Sequence, residues 1–358
     1  MKKLIFFFIL LMPLNVQAIS ASSSIVMDLD NGRILHENNI HDKRLIASIS
    51  KIMTTVVAIE YGDLDEVIEV GDEILTAYGS AIYIELGEKL TLRDLLYGLM
   101  LRSGNDAAVV IAKNVAGSMD NFAMLMNETA SKIGMKDTYF YNAHGLEEEN
   151  GQGNTSSAYD MALLTKYAMQ NEVFREIFGT KEYKAKTNYK TYAWVSKNKL
   201  IHKYDFITGG KTGYTEKAKR TLVTTASNNN INLVVVTLND GNDFQDHLTL
   251  YEEVFRNYEA IKVVDKDNFK IDDDKIYKDD TLYVMDSIYV PVKEEEKGEL
   301  KVEYQLYKNG KYVDGDKVGE VLVYLKDEVI RKENIYVLKE EIDDKLSWWE
   351  RLLRWLGW

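Results

Sequence analysis

Two runs decide the fold: Arg220-Thr221-Leu222-Val223-Thr224-Thr225-Ala226 and Ile231-Asn232-Leu233-Val234-Val235-Val236-Thr237-Leu238, parted by Ser227-Asn228-Asn229-Asn230. Rich in β-branched residues and bounded by turn formers, they read as strands. A second pair of strand-like runs opens the chain, residues 24–30 and 33–38, on either side of Asn31-Gly32, a strong short-range hairpin signal. Between these pairs the periodicity is helical. Ile49, Ile52, Met53, Val56 and Ile59 recur at helical spacing over residues 48–61, and Gly62 stops the run. Thr91 is placed to cap a helix over 92–101. Further helices are expected over 106–115, 119–133 and 157–170, and 243–258 reads as a long closing helix. Strands at both ends with helices between imply an α+β fold, an antiparallel sheet packed against a helical cluster.

The 358 residues suit two domains better than one. With 46% hydrophobic and 28% charged residues, the balance is that of a globular protein with ample core material. The net charge of −13 argues against a basic surface for DNA or RNA, so no nucleic-acid partner is expected. The chain has no cysteine, which excludes disulfides, zinc thiolate sites and cysteine nucleophiles. The five histidines show no H-E-x-x-H spacing, so no catalytic metal is expected.

Both ends carry their own signals. Lys2 and Lys3 precede an apolar run over 4–11, too short to span a bilayer comfortably, and Val16-Gln17-Ala18 fits a small-residue cleavage site. This reads as a signal peptide over 1–18, with a retained N-terminal anchor as the alternative, and it directs the protein outside the cytoplasm. Removing those two lysines from a net charge of −13 leaves −15. After Lys262, short β-type runs at 281–285, 288–292, 301–307, 321–324 and 329–337 are separated by charged turns and Asn309-Gly310, which reads as a small all-β module. In the final stretch, Leu346, Trp349, Leu353 and Leu356 share a helical face with Ile342, widened by Trp348, Leu352 and Trp355. Ser347, Glu350, Arg351 and Arg354 lie opposite, so a helix lying in a membrane interface is expected, with packing on protein as the alternative. The expected organisation is a signal peptide (1–18), a catalytic domain (19–261), a small all-β domain (262–340) and an amphipathic helix (341–358).

Three motifs carry chemistry. In Ser48-Ile49-Ser50-Lys51, a helical spacing of three puts Ser48 and Lys51 on one face, nearly a turn apart. A serine hydroxyl is a poor nucleophile without a base. Lys51 can be that base if burial or a neighbouring cation lowers its pKa, and Lys211 can be the cation. Ser103-Gly104-Asn105 begins 55 residues after Ser48, in the turn between two expected helices. There Ser103 can pass a proton to a leaving amine and Asn105 can hold Lys51 and a substrate backbone, whereas a purely local role would be helix capping. Lys211-Thr212-Gly213 begins 108 residues later, within a glycine-rich strand whose backbone a substrate can approach closely. Lys211 and Thr212 together suit a terminal carboxylate. A phosphate-binding P-loop is disfavoured because Asp205 stands where its first glycine belongs. Each motif alone is weak; in this order they form the set of an active-serine acyl-transfer enzyme.

Here the chain resembles the D-alanyl-D-alanine carboxypeptidases, the low-molecular-weight penicillin-binding proteins of the peptidase S11 type. Asn142-Ala143-His144-Gly145-Leu146 and Ser156-Ser157-Ala158-Tyr159-Asp160-Met161-Ala162 add to the likeness, which covers about residues 22–260. The resemblance implies a β-lactamase/transpeptidase-like catalytic domain. It implies Ser48 as the acylated nucleophile, Lys51 as its base, and Ser103 and Asn105 in proton transfer. It further implies Lys211, Thr212, Gly213 and Tyr214 in substrate binding, with the N–H groups of Ser48 and Tyr214 as the oxyanion hole. The implied reaction removes the terminal D-alanine of a peptidoglycan stem peptide without metal or cofactor, and β-lactams inhibit it. Ile46, Asn154 and Lys219 stand where the family often has proline, histidine and glycine. Three other readings share these residues in whole or part: a D,D-endopeptidase, a class A-like β-lactamase using a glutamate among Glu147, Glu148 and Glu149, and a non-enzymatic peptidoglycan-binding scaffold.

Overall fold

The structure, a computed structural model, describes residues 18–148, 150–271, 276–277, 280–307 and 312–338. The expected signal peptide, apart from Ala18, the Asn309-Gly310 turn and the expected helix over 341–358 lie outside these residues. In chain order the strands and helices are β1 (Ser23–Asp28), β2 (Ile34–Asn38), β3 (Arg44–Leu45), α1 (Lys51–Tyr61), β4 (Val67–Glu69), β5 (Lys89–Thr91), α2 (Leu92–Arg102), α3 (Asn105–Ala116) and α4 (Met119–Ile133). There follow β6 (Thr155–Ser156), α5 (Ala158–Ala168), α6 (Glu172–Gly179), β7 (Glu182–Lys186), β8 (Thr191–Val195), α7 (Lys199–Lys203), β9 (Ile207–Thr215), β10 (Lys219–Asn228), β11 (Ile231–Asp240) and α8 (Asp243–Asn257). The remaining strands are β12 (Glu259–Val264), β13 (Thr281–Tyr283), β14 (Ile288–Val292), β15 (Leu300–Leu306), β16 (Lys317–Leu325) and β17 (Glu328–Leu338).

The chain divides into two compact units. The first holds the described residues of Met1–Val26, His36–Thr225 and Val234–Glu253. The main sheet has the order β2-β1-β11-β10-β9, so the two strand pairs read from the sequence lie side by side and β9 is an edge. The Ser22 N–H donates to the Asn239 carbonyl at 3.1 Å, and the Leu29 N–H to that of Asn232 at 2.8 Å. Residue numbers thus rise on β1 as they fall on β11, and the pairing is antiparallel. The expected helices form with small shifts of their ends. α2 begins at a capping box, in which the Thr91 hydroxyl accepts from the Asp94 N–H and the Asp94 carboxylate accepts from the Thr91 N–H. Ser118 and Ser157 cap α4 and α5 in the same sense. α1 is one short turn shorter than its periodicity suggests, because Ala47–Ser50 forms a 3-10 turn. Gly62 ends α1 in an extended conformation, φ −105°, not as a left-handed cap. The ribbons β3–β6, β4–β5 and β7–β8, with α6 and α7, have no counterpart in the sequence reading. They are too short to show a period, and β3 finds its partner 112 residues away, with Arg44 opposite Ser156.

The second unit comprises Met27–Leu35, Ala226–Leu233 and the described residues of Val254–Trp358. Its sheet β13-β17-β16-β15 matches four of the five expected runs, and the fifth, β14, pairs with β12. Val290, Val292, Val321, Val323, Ile335 and Val337 are wholly buried in its core. Within this unit the Arg33 guanidinium donates to the Pro291 carbonyl at 2.6 Å and to the Glu296 carboxylate at 2.5 Å. Among the described residues no helix is long and apolar enough to cross a membrane.

His247 on α8 is sealed in the first unit's core between the hydroxyls of Thr224, 2.7 Å from Nδ1, and Thr237, 3.1 Å from Nε2. Burial holds its pKa down to about 3. The unfolded imidazole takes a proton near pH 6.5 and the folded one does not, so this contribution to stability is complete above pH 6.5 and is lost as the pH falls towards 3. Chemical denaturation should show His247 alone removing about 2 kcal/mol between pH 6.5 and 5. His247→Gln should flatten the slope by that amount; an unchanged slope would rule His247 out as its source.

Candidate active site

The site forms where the turn before α1, the turn between α2 and α3, the loop over 141–147 and edge strand β9 meet. Ser48 sits in the 3-10 turn Ala47–Ser50, where Ala47 takes a left-handed φ of 49°. Lys51 opens α1 and is wholly buried. Its Nζ lies 3.1 Å from Ser48 Oγ, 2.8 Å from Asn105 Oδ1 and 2.5 Å from the His144 carbonyl. Burial first, then the charges of Lys211 and Lys197, drive the Lys51 pKa well below its usual value, against a smaller opposing pull from Asp106. A neutral amine has two N–H groups and one lone pair. The His144 carbonyl can only accept. Asn105 Oδ1 also accepts, its orientation fixed by the 2.6 Å bond from Nδ2 to the Tyr78 carbonyl. These two oxygens take the two N–H groups. In the neutral state its lone pair would then turn to Ser48, the one neighbour with a proton to give.

Ser103 and Asn105 stand where the turn between helices puts them. Ser103 closes α2 in the left-handed region, φ 63°, and Asn105 opens α3, its N–H donating to the Ser80 carbonyl at 2.7 Å. Lys211 on β9 is buried and donates to Ser103 Oγ at 3.1 Å and to the Thr212 carbonyl at 2.6 Å. Burial, with the charge of Lys197, lowers its pKa to about 7. Gly213 is required by closeness. A Cβ there would lie 3.0 Å from the Ser48 N and 2.4 Å from Thr221 Oγ1, so only glycine lets β9 run this near Ser48. Thr212 is half-buried and Tyr214 exposed at 60%, both at the accessible edge of the sheet.

The sequence reading missed the groups that hold these residues. The Asp106 carboxylate is buried and accepts from the N–H groups of Ile82, Tyr83, Ile84 and Ala107, which shapes the loop that meets Asn105. Asn154 accepts from the Tyr141 and Asn142 N–H groups at 2.7 and 3.2 Å and donates to the Asn142 carbonyl at 2.8 Å. The Thr54 hydroxyl pins the Ala143 carbonyl to α1 at 2.7 Å. Gly145 then turns with φ 86°, where a Cβ would lie 2.1 Å from the Ala47 carbonyl. Together these present the His144 carbonyl to Lys51. The His144 ring is itself a poor base, because burial holds its pKa down to about 3. Lys197, exposed, with Nζ 3.1 Å from Ser80 Oγ, is a third cation near the pair, and no motif marks it. Glu147 accepts from the Thr215 hydroxyl at 2.5 Å, which ties the loop to β9.

These features define a mixed α/β penicillin-binding protein fold carrying a C-terminal all-β domain. A family model described as D-alanyl-D-alanine carboxypeptidase (peptidase S11) matches residues 12–242. The chain belongs to that family. A second model, penicillin-binding protein 5, C-terminal domain, matches residues 258–342. Among curated relatives, D-alanyl-D-alanine carboxypeptidase DacF of Bacillus subtilis is 36% identical over 60% of this chain and 56% of its own length. D-alanyl-D-alanine carboxypeptidase DacD of Escherichia coli is 32% identical over 62% of this chain and 58% of its own. Thus the chain spans somewhat over half the length of these relatives. The crystal structure of penicillin binding protein 5 from Haemophilus influenzae superposes with a TM-score of 0.70 and 25% identity, covering 90% of this chain and 98% of that one.

The pKa directions fix a pH profile. If a β-lactam acylates Ser48 as the resemblance implies, the step needs Lys51 neutral and Lys211 charged towards the reagent's carboxylate. The rate should rise with pH on the acid side and fall as Lys211 loses its proton near pH 7. Stopped-flow measurement on Lys211→Arg should carry the falling limb above pH 9, since guanidinium stays charged. A limb that stays near 7 would assign it to another group.

Proposed function

We propose that this protein is a serine-type D-Ala-D-Ala carboxypeptidase that removes the terminal D-alanine from peptidoglycan pentapeptides and is acylated by penicillins at the same serine. The observation that carries this reading is the buried Lys51 amine 3.1 Å from Ser48 Oγ, with a second buried lysine, Lys211, beside Ser103. Ser48 Oγ attacks the carbonyl of the penultimate D-alanine while its proton passes to Lys51. The N–H groups of Ser48 and Tyr214 stabilise the oxyanion, and the close passage of β9 at Gly213 supports that pairing. Lys211 and Thr212 hold the terminal carboxylate, Ser103 relays the proton to the departing amine, and Asn105 keeps Lys51 in place. D-alanine leaves, and water attacks the ester by the reverse proton path. This chemistry needs no cofactor.

The relatives' names favour the carboxypeptidase reading over a β-lactamase. A D,D-endopeptidase would use the same residues on a cross-linked substrate. The reading places a signal peptide at 1–18, the catalytic domain at 19–261, the all-β domain at 262–340 and a membrane-lying helix at 341–358. The enzyme would then work on the outer face of the cytoplasmic membrane, and the tryptophan-rich face of the last segment supports the tether.

Incubation with a pentapeptide ending in D-Ala-D-Ala should release one alanine, read as a single mass loss, and Ser48→Ala should lower the rate by at least about 10³-fold and abolish labelling by a fluorescent penicillin. Labelling that survives in Ser48→Ala would remove Ser48 as nucleophile, and fast turnover of penicillin would favour a β-lactamase. Deleting residues 341–358 should move the protein from the membrane fraction to the soluble one; unchanged fractionation would refute the tether.

A further inference from the structure

The first residues of the proposed mature chain run across a buried acidic cluster on the first unit. The Ser20 N–H donates to Asp246 Oδ2 at 2.6 Å and the Ala21 N–H to the same oxygen at 3.2 Å. The Ser20 hydroxyl lies 2.8 Å from both Asp240 Oδ1 and Asp246 Oδ2. The Asn242 N–H reaches back to Ser20 Oγ at 3.1 Å. The other oxygen of Asp240, Oδ2, has no hydrogen-bond partner, although Asp240 is only 3% exposed. The Thr237 hydroxyl, which also meets His247, is the one neighbouring side chain besides Ser20 that pulls on the Asp240 carboxyl as a hydrogen-bond partner, and it is neutral. Asp243, at the start of α8, adds a third buried carboxylate, on which Arg220 and Lys199 exert their charge. Burial, with the charge of Asp246, raises the Asp240 pKa, so the cluster is short of positive charge. Among the described residues no group of acids has the arrangement to hold a metal ion.

A backbone amide at Ile19 offers one neutral N–H. Cleavage after Ala18 turns that nitrogen into an ammonium with three donors and a full charge, one residue of chain, at most about 3.8 Å, upstream of Ser20. We propose that this acidic cluster is the binding site of the chain's own processed N-terminus, with the Ile19 α-ammonium bonded to Asp240 Oδ2. The inference rests on signal-peptide removal at Ala18. It adds a consequence: cleavage supplies the cation that locks the start of β1 onto the turn between β11 and α8, so maturation completes the fold of the catalytic unit. A precursor lacks that lock.

The test uses the chain beginning at Ile19 with a free amine, the same chain beginning at Gln17, and Asp240→Asn in each. The free Ile19 form should melt about 4 °C above the Gln17 form, and Asp240→Asn should remove most of that difference. Should a variant fold poorly, acetylation of the native proteins near pH 7.5, followed by mass spectrometry, gives a second reading. The Ile19 amine should react at least about tenfold more slowly in the parent than in Asp240→Asn or in the denatured chain. Equal melting temperatures for the two N-termini, or equal reactivity of the amine, would overturn the docking. N-terminal sequencing of the secreted protein separates the two steps: a start other than Ile19 would overturn the processing even where the docking holds.

Discussion

The structure turns on one amine buried without a carboxylate partner. Lys51 is wholly enclosed, and its bonds run to a hydroxyl, an amide oxygen and a backbone carbonyl. An ionised lysine there would bear a heavy desolvation penalty, and the charges of Lys211 and Lys197 add to it by more than Asp106 offsets. The environment therefore drives the Lys51 pKa down and favours the neutral amine. The surrounding fold can be read as the machinery that keeps water and carboxylates away from this nitrogen while supplying two acceptors in fixed positions.

Those acceptors come from distant parts of the chain, so the site is only as good as the loops that carry them. Each loop is held by a buried polar side chain used as a clamp: Asp106 on the segment over 82–84, Asn154 on 141–142, Thr54 on Ala143. Strain is concentrated at the same places. Ala47, before the nucleophile, and Ser103, in the second motif, both take left-handed backbone conformations that a non-glycine residue adopts at some cost. That cost is borne because the clamps and the packing of α1, α2 and α3 leave the turns no other path.

The three departures from the family's usual pattern have physical readings in this light. Asn154 uses both ends of its amide on the loop before His144, a clamp as complete as any single side chain can offer. Ile46, where proline is common, donates its N–H to the Asn154 carbonyl at 3.1 Å, a bond that proline would forgo. Lys219, where glycine is frequent, has φ 59°, the region in which glycine is at ease. The substitution strains the turn into β10 and leaves the reacting groups untouched.

Much of this was legible in the chain. The strand pairs at 24–38 and 220–238, the helices between them and the β runs after Lys262 follow from period and turn chemistry, because those elements are long enough to repeat a pattern. The pairing of Ser48 with Lys51 is local, set by helical spacing, and the order of the three motifs pointed to Ser103, Asn105 and Lys211 as its partners. What the sequence could not contain was distance between remote segments. His144 stands in a run the resemblance singled out, but nothing in that run shows that its carbonyl meets Lys51, and no motif marks the Tyr78 carbonyl or the exposed Lys197. The depressed pKa of Lys51, the close passage of β9 at Gly213 and the acidic seat beneath Ser20 arise from burial and from contacts between residues tens to hundreds of positions apart. The sequence determined which groups could react. Only the packed tertiary structure, by excluding water and bringing remote groups to within about 3 Å of Lys51 and Lys211, decided the environment that lowers their pKa values.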